Sequence, residues 1–422
     1  MPMIDDPRAF LGVLFRRAVE AADPATTIAR HLPARPKGRT VVIGAGKAAC
    51  QMAKAFEDAW GEPVEGLVVT RHGADEPCRH IRVLTASHPL PDEAGIHAAR
   101  ALLDQVSGLT EDDLVVALIS GGGSALLPSP PEGFTLADEI ELNRALLHSG
   151  APISAMNVIR KHFSGIKGGR LAAAAAPARV VTLVISDVPG DRPELVASGP
   201  TLPDAEGRNE ALAAIRDYRI ALPPAILDAI AKAEAPRPDD PVFARNETHI
   251  IASARQSLEA AAAEAAKSGI ETAILSDAIE GEARDIGLMH AAIAREIATR
   301  NAPFAKPVLL LSGGETTVTI GSSPAGRGGR NCEFLLSFAL ATEGLSGLHA
   351  LAADTDGIDG TEDNAGAISD GETARRIRER GGDGRTLLAN HDAWNAFSLS
   401  GDLFITGPTG TNVNDFRAIL IT

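Results

Sequence analysis

The run Leu114-Val115-Val116-Ala117-Leu118-Ile119 followed by Ser120-Gly121-Gly122-Gly123-Ser124 constrains the fold more than any other stretch of the chain. Unbroken apolar residues that stop abruptly at polar ones predict a strand buried on both faces, as in a parallel sheet. Adjacent glycines lose more conformational entropy on folding than any other residue, so packing alone does not account for them. They offer bare backbone, whose N–H groups can turn together toward an anion. Ser120 and Ser124 add hydroxyls at the rim. A tight strand-to-helix turn would use the same residues, so one such loop leaves both readings open.

The chain repeats the device. Val308-Leu309-Leu310-Leu311 runs into Ser312-Gly313-Gly314-Glu315, and Leu403-Phe404-Ile405 runs into Thr406-Gly407-Pro408-Thr409-Gly410-Thr411-Asn412. Near the start, Thr40-Val41-Val42-Ile43 precedes Gly44-Ala45-Gly46-Lys47-Ala48-Ala49, a match to the G-x-G-x-x-G/A turn of dinucleotide-binding folds. The following strand ends on Thr70-Arg71 rather than on the acid that holds an NAD ribose, although Arg71 would suit a 2′-phosphate. Lys47 has no role in that fingerprint. At a helix start it opposes the macrodipole, and a bound anion is the natural compensation.

Strand-like and helix-like segments alternate along the whole chain, which predicts an α/β architecture. A length of 422 residues suits about two domains. The proline-rich, acidic stretch 233–246 reads as the linker between them, dividing the chain at 1–240 and 241–422. Residues 316–320 alternate like a strand paired to the one before them. The net charge of −15 argues against nucleic acid or an anionic membrane as partner. Cys50, Cys78 and Cys332 lack CxxC spacing, so neither a zinc site nor a disulfide framework is expected, and a reduced cytoplasm fits. The first ten residues have no signal-peptide pattern, and no segment approaches the ~18 apolar residues of a membrane span.

Charged residues gather near the strand ends. On a helix expected over 153–175, Arg160, Lys167 and Arg170 fall on one side and form a candidate anion-facing stripe, with a kink expected at Gly168-Gly169. Ser186-Asp187-Val188-Pro189-Gly190-Asp191 follows a buried strand at the sheet edge where open α/β folds hold ligands. Its acids could hold a metal or accept a hydroxyl proton. His88, in Ser87-His88-Pro89, reads as a turn residue. Gly328-Gly329-Arg330-Asn331 and Asp354-Thr355-Asp356-Gly357 add a cation and further acids. No serine–histidine or cysteine–histidine motif occurs. Glycine loops, cations and carboxylates together are what phosphoryl transfer requires, because its transition state spreads negative charge.

Residues 44–49, 120–127, 157–172, 186–191, 197–201, 312–317, 328–331, 354–360 and 403–415, in this order, resemble the glycerate 2-kinase family. The resemblance covers nearly the whole chain. It implies a Rossmann-like N-terminal domain with a parallel sheet, and a second α/β domain holding a MOFRL-type region near 305–415, with the active site in the interdomain cleft. It implies ATP- and Mg²⁺-dependent phosphorylation of D-glycerate to 2-phosphoglycerate. On that basis Lys47 and Arg330 neutralise the transferring phosphate, while Ser120, Gly121, Gly122, Gly123 and Ser124 cradle an anion. Arg160 and Lys167 join them as phosphate-binding residues. Asp187, Asp191 and Asp356 share the base and metal roles, with the metal ligands left open, and Glu315 and Asn412 orient substrate or metal. Cys332 departs from the pattern, which has Gln there, and is expected to retune packing beside Arg330. Members of the family also carry the name hydroxypyruvate reductase, so an NAD(P)H-dependent reductase is the alternative, and a non-catalytic ligand-binding module a third. The oligomeric state stays open, a homodimer among the arrangements.

Overall fold

The computed structural model describes residues 4–74, 77–188, 190–320 and 326–422. The chain forms two compact units, one of Pro24–Ile251 and one joining Met1–Asp23 to Ala252–Thr422.

In the first unit the apolar runs become β1 (Thr40–Ala45), β2 (Glu65–Arg71), β3 (Arg82–Ala86), β4 (Leu114–Ser120), β5 (Arg179–Ile185) and β6 (Glu247–Ala252), in the sheet order β3-β2-β1-β4-β5-β6. The pairings from β3 through β5 are parallel. This is the order of Rossmann-like folds, and the expected fold class holds. Alternate residues of a strand share a face. Val41, Ile43 and Ala45 of β1 and Val115, Ala117 and Ile119 of β4 accordingly pack in one core with Ala98, Ala99 and Leu102 of the helix Glu93–Gln105.

The expected linker is part of this unit. Phe243 sits in the same core, Val242 packs against it, and Arg170 Nη2 donates to the Glu234 carbonyl at 2.8 Å. The N-terminal helix Pro7–Ala21, expected with the first domain, belongs to the second unit. Its Leu11, Leu14, Phe15 and Ala18 pack with Leu258, Ala261 and Ala265 of the helix Ala254–Lys267. Ser257 Oγ donates to the Ala18 carbonyl at 2.7 Å. An amphipathic helix buries its stripe wherever a complementary face exists, however distant in sequence.

The second unit contains β7 (Glu271–Ser276), β8 (Gly281–Glu282), β9 (Val308–Gly314), β10 (Thr316–Thr317), β11 (Leu348–Asp354), β12 (Gly366–Asp370), β13 (Leu403–Phe404) and β14 (Asp415–Ile421). Its main sheet is mixed, in the order β13-β12-β11-β14-β9-β7. Residues 316–320 do not pair with β9. The two sides of β9 are taken by β7 and β14, and β10 pairs with β8 in parallel. Gly314, at φ 116°, turns the chain away hard against Ile279, where a Cβ would collide with backbone. Strands β12 and β14 and the helix Arg330–Ala341 were not legible as elements; β14 is buried throughout although it carries Asp415 and Arg417.

The helix expected over 153–175 is broken into Ile153–Lys161 and Arg170–Ala174. Gly168 and Gly169, in the connection just before the second piece, stand at φ 62° and 83°, left-handed values that a continuous helix does not admit. A Cβ on Gly169 would lie 2.9 Å from the Pro203 nitrogen. Among the described residues, no helix is long and apolar enough to cross a membrane.

Candidate active site

In the order β3-β2-β1-β4-β5-β6 the direction of winding reverses between β1 and β4, and ligands of such sheets bind beyond the strand ends at that reversal. The loops after β1 and β4 meet there. The Lys47 N–H donates to the Gly121 carbonyl at 2.8 Å, and the Ala48 N–H to Ser120 Oγ at 3.1 Å. The glycines are required by close approach. A Cβ on Gly46 would overlap Ser120, and one on Gly121 would overlap the Asp187 carboxylate. Gly122 is left-handed at φ 80°; a Cβ there would lie 3.1 Å from both Lys47 Cγ and His88 Nε2. The structure thus gathers Lys47, His88 and Asp187 around Gly121 and Gly122. Among the described residues the Lys47 ammonium makes no ion pair.

His88 was read as a turn residue, and its place beside the loop is the residue that sequence reasoning missed. Only the lateral order of the strands brings the end of β3 to this edge. Burial, then the charges of Lys47 and Arg71, push the His88 pKa down to about 4, so its ring is neutral near pH 7.

Ser124 is tied into a network behind the loop. Its Oγ lies 2.9 Å from Ser198 Oγ, which donates to Asn157 Oδ1 at 3.1 Å. Arg160 also donates to Asn157 Oδ1, at 3.1 Å, and through Nε to Asn143 Oδ1 at 2.9 Å. Burial lowers the Arg160 pKa to about 10. Lys167 is buried with its ammonium 2.7 Å from Glu139 Oε1, and the neighbouring Lys161 is buried against Asp204. The anion-facing stripe therefore does not form. Lys167 lies in the connection between the two helices and is buried there, where a charge requires a partner, and Arg160 is linked to Ser124 through Asn157 and Ser198. Asp191 stands on the same turn as Asp187 with φ 51°, while Pro189 between them lies outside the described residues.

The second unit carries a different cluster. Arg330 opens the helix Arg330–Ala341 and is gripped by three carboxylates: Nε to Asp415 Oδ1 at 2.7 Å, Nη2 to Asp354 Oδ2 at 2.8 Å and Nη1 to Glu315 Oε1 at 2.8 Å. Asp354 and Asp415 are buried, whereas the Glu315 side chain is 48% exposed. Burial drives the Asp354 carboxyl well above the usual range against the pull of Arg330. Burial would raise Asp415 too, but Arg330 and Arg417 hold it below that range. Arg417 is fully buried, pairs with Asp415, and lies 5.0 Å from the Phe334 ring centre. Asp359 accepts the Asn331 and Cys332 N–H groups at 2.9 and 2.8 Å, and Asn364 Nδ2 reaches Cys332 Sγ at 3.2 Å, so Cys332 is packed within this helix start. Asp356 is half-buried, its Oδ1 accepting the Ile358 N–H at 2.9 Å. Asn412 Oδ1 accepts the Asn414 N–H at 3.2 Å within the buried 411–414 turn. Among the described residues no group of three or more His, Cys, Asp or Glu side chains is placed to hold a metal.

Residues 10–231 match the family described as a domain of unknown function (DUF4147), and residues 308–415 match the MOFRL family. A D-glycerate 2-kinase of Thermotoga maritima is 40% identical over 97% of each chain. The chain belongs to the glycerate 2-kinase family. A crystal structure of a glycerate kinase from the same organism, 38% identical, superposes with a TM-score of 0.88 over 98% of this chain and 99% of its own. A protein of Agrobacterium vitis, provisionally named hydroxypyruvate reductase, is 50% identical over 98% of this chain and 94% of its own. In this glycerate 2-kinase family chain, the first matched region contains Lys47, the Ser120–Ser124 loop and Asp187. The MOFRL match runs from the start of β9 to Asp415 and so contains Arg330 with all three of its carboxylate partners.

Proposed function

We propose that the protein transfers the γ-phosphoryl group of ATP to the 2-hydroxyl of D-glycerate. The observation that carries this reading is an open cation, Lys47, beside a glycine loop at the reversal point of a parallel sheet. Phosphoryl transfer is catalysed mainly by positioned charge and backbone donors. Lys47 would neutralise charge on the transferring group, and the N–H groups of residues 121–123 would receive phosphate oxygens. Asp187, held against Gly121, would accept the proton of the attacking hydroxyl. In the second unit, Arg330 can exchange the exposed Glu315 for a phosphate oxygen at Nη1 while Asp415 and Asp354 keep its other nitrogens in place.

Magnesium is commonly held through phosphate oxygens with one or two carboxylates, and Asp187 and Asp191 on their turn suit that donor set. It would supply neutralisation of the phosphate chain. Three cysteines far apart in the sequence and without CxxC spacing fit a reducing compartment, which we infer to be the cytoplasm.

The name of the Agrobacterium relative favours a reductase as the second reading, as does the Gly44–Ala49 turn. In a dinucleotide fold the second glycine lets the backbone approach the pyrophosphate. Here that space at Gly46 is filled by Ser120, which weighs against it. The test is direct. With ATP, Mg²⁺ and D-glycerate, the purified protein is expected to form ADP and 2-phosphoglycerate, the isomer identified by phosphorus NMR. NADPH consumption with hydroxypyruvate and no ADP release would overturn the kinase reading.

A further inference from the structure

Beyond the glycine loop, the C-terminal ends of β2 and β3 enclose a pocket of about 350 Å³ lined by Arg71, His72, Gly73, Ser87 and His88. Its polar groups divide into two sets. His72 and Ser87 are committed to the scaffold: Ser87 Oγ donates to Asp92 Oδ2 at 2.7 Å, and the His72 ring stands 3.3 Å from the same oxygen and 3.0 Å from Thr85 Oγ1. Asp92 is itself the cap of the helix Glu93–Gln105, accepting the Gly95 N–H at 2.9 Å. Arg71 and His88 are uncommitted. Among the described residues neither side chain makes a hydrogen bond or an ion pair, in a chain whose acids outnumber its bases 55 to 40.

An arginine that pairs with no described residue, at the C-terminal edge of the sheet and facing a pocket whose described lining has no aliphatic side chain, is arranged for an oxyanion rather than for a base or an apolar group. The ring of His88 adds a neutral donor, and it stands at Gly122 opposite Lys47. The charges of both Lys47 and Arg71 act on that ring, which places the pocket and the loop in one electrostatic field.

We infer that this pocket is an oxyanion subsite continuous with the Ser120–Ser124 loop, with the Arg71 guanidinium as its charged donor and His88 as its neutral one. The ligand is a substrate carboxylate or phosphate. Only the choice between those two sources rests on the kinase reading, since the acceptor acid supplies the first and the nucleotide the second.

The experiment has two arms. In the first, the His88 ring signals, identified by their loss in His88→Gln, are followed by NMR while inorganic phosphate or D-glycerate is added to the whole protein without nucleotide. Addition of at least one is expected to shift them, and Arg71→Met is expected to weaken that binding about 10-fold, the weight of one charge-assisted contact. In the second arm, the KM values for D-glycerate and ATP are compared between the wild type and Arg71→Met, with Arg71→Lys as the substitute if the Met variant does not fold. A rise confined to D-glycerate assigns the carboxylate, and a rise confined to ATP assigns the phosphate. Unmoved His88 signals with both anions, or unchanged binding and KM values in the Arg71 variant, would overturn the subsite. If no phosphoryl transfer occurs yet the anion shift is present and lost in Arg71→Met, the kinase reading falls and the subsite stands.

Discussion

Lys47 and Arg330 are the same kind of feature in two units. Each is a cation at the start of a helix, where the macrodipole is unfavourable to positive charge. Arg330 is compensated from within the fold by Asp415, Asp354 and Glu315. Lys47 makes no ion pair among the described residues; its side chain and the neutral His88 stand at Gly122, with the Asp187 carboxylate at the neighbouring Gly121. The difference separates two uses of charge. Around Arg330 the ions hold strands β11 and β14 to the helix Arg330–Ala341, and only the pair with Glu315 is exposed. Around Lys47 no ion pair among the described residues ties the charge to the fold, and the proposed function gives that charge to a ligand.

Arg330→Lys tests this division most severely. A lysine keeps the charge but not the planar fork, so at least one buried carboxylate loses its partner. Turnover is expected to fall on the order of 10²- to 10³-fold, by analogy with other arginines that stabilise phosphoryl transfer. The same change should destabilise the protein by about 3 kcal/mol in denaturant unfolding, the scale of breaking a buried pair. A variant that unfolds like the wild type would dissolve the contrast.

Lys47→Ala is the complementary case. Turnover should fall on the order of 10²-fold, as when a preorganised transition-state donor is removed. Stability should change by no more than about 0.5 kcal/mol, as for other substitutions that break no fold contact. Loss of stability matching that of Arg330→Lys would show that Lys47 is structural.

The smallest effect sharpens the Lys47 side. His88 titrates near 4 in the folded protein against 6.5 when unperturbed. Between those values the unfolded chain binds a proton that the folded one refuses, so stability rises with pH across that window. Above it the residue contributes nothing either way. In urea unfolding at pH 5 and pH 7, His88→Gln is expected to show a smaller loss of stability on acidification than the wild type. The buried His290 and His162, shifted in the same direction, are present in both proteins and cancel. An identical pH dependence would show that His88 is neither desolvated by burial nor held in the field of Lys47 and Arg71.

Lys167 and Asp415 show where the reading of residues stops. Lys167 had the composition of a phosphate ligand, but its role was decided by Glu139, 28 positions earlier, and by its burial in the connection between the two helices. Asp415 was legible only as the end of a glycine-rich loop. It is the first residue of a buried central strand because β14 passes between β11 and β9.

The sequence by itself determined the alternating α/β class, the glycine loops at the ends of β1, β4 and β9, and the candidacy of Lys47 and Arg330. Those properties are local. Apolar runs report burial, and glycine clusters report backbone that must come close to something. Tertiary structure alone decided that the N-terminal helix joins the second unit, that residues 233–246 pack into the first, and that His88 stands beside Gly122. It also decided which cations are spent. Whether a lysine or arginine is open depends on carboxylates from other elements, such as Asp354 and Asp415, which meet Arg330 from 24 and 85 positions away. Ionic pairing is set by distance in space, and no pattern along the chain encodes it.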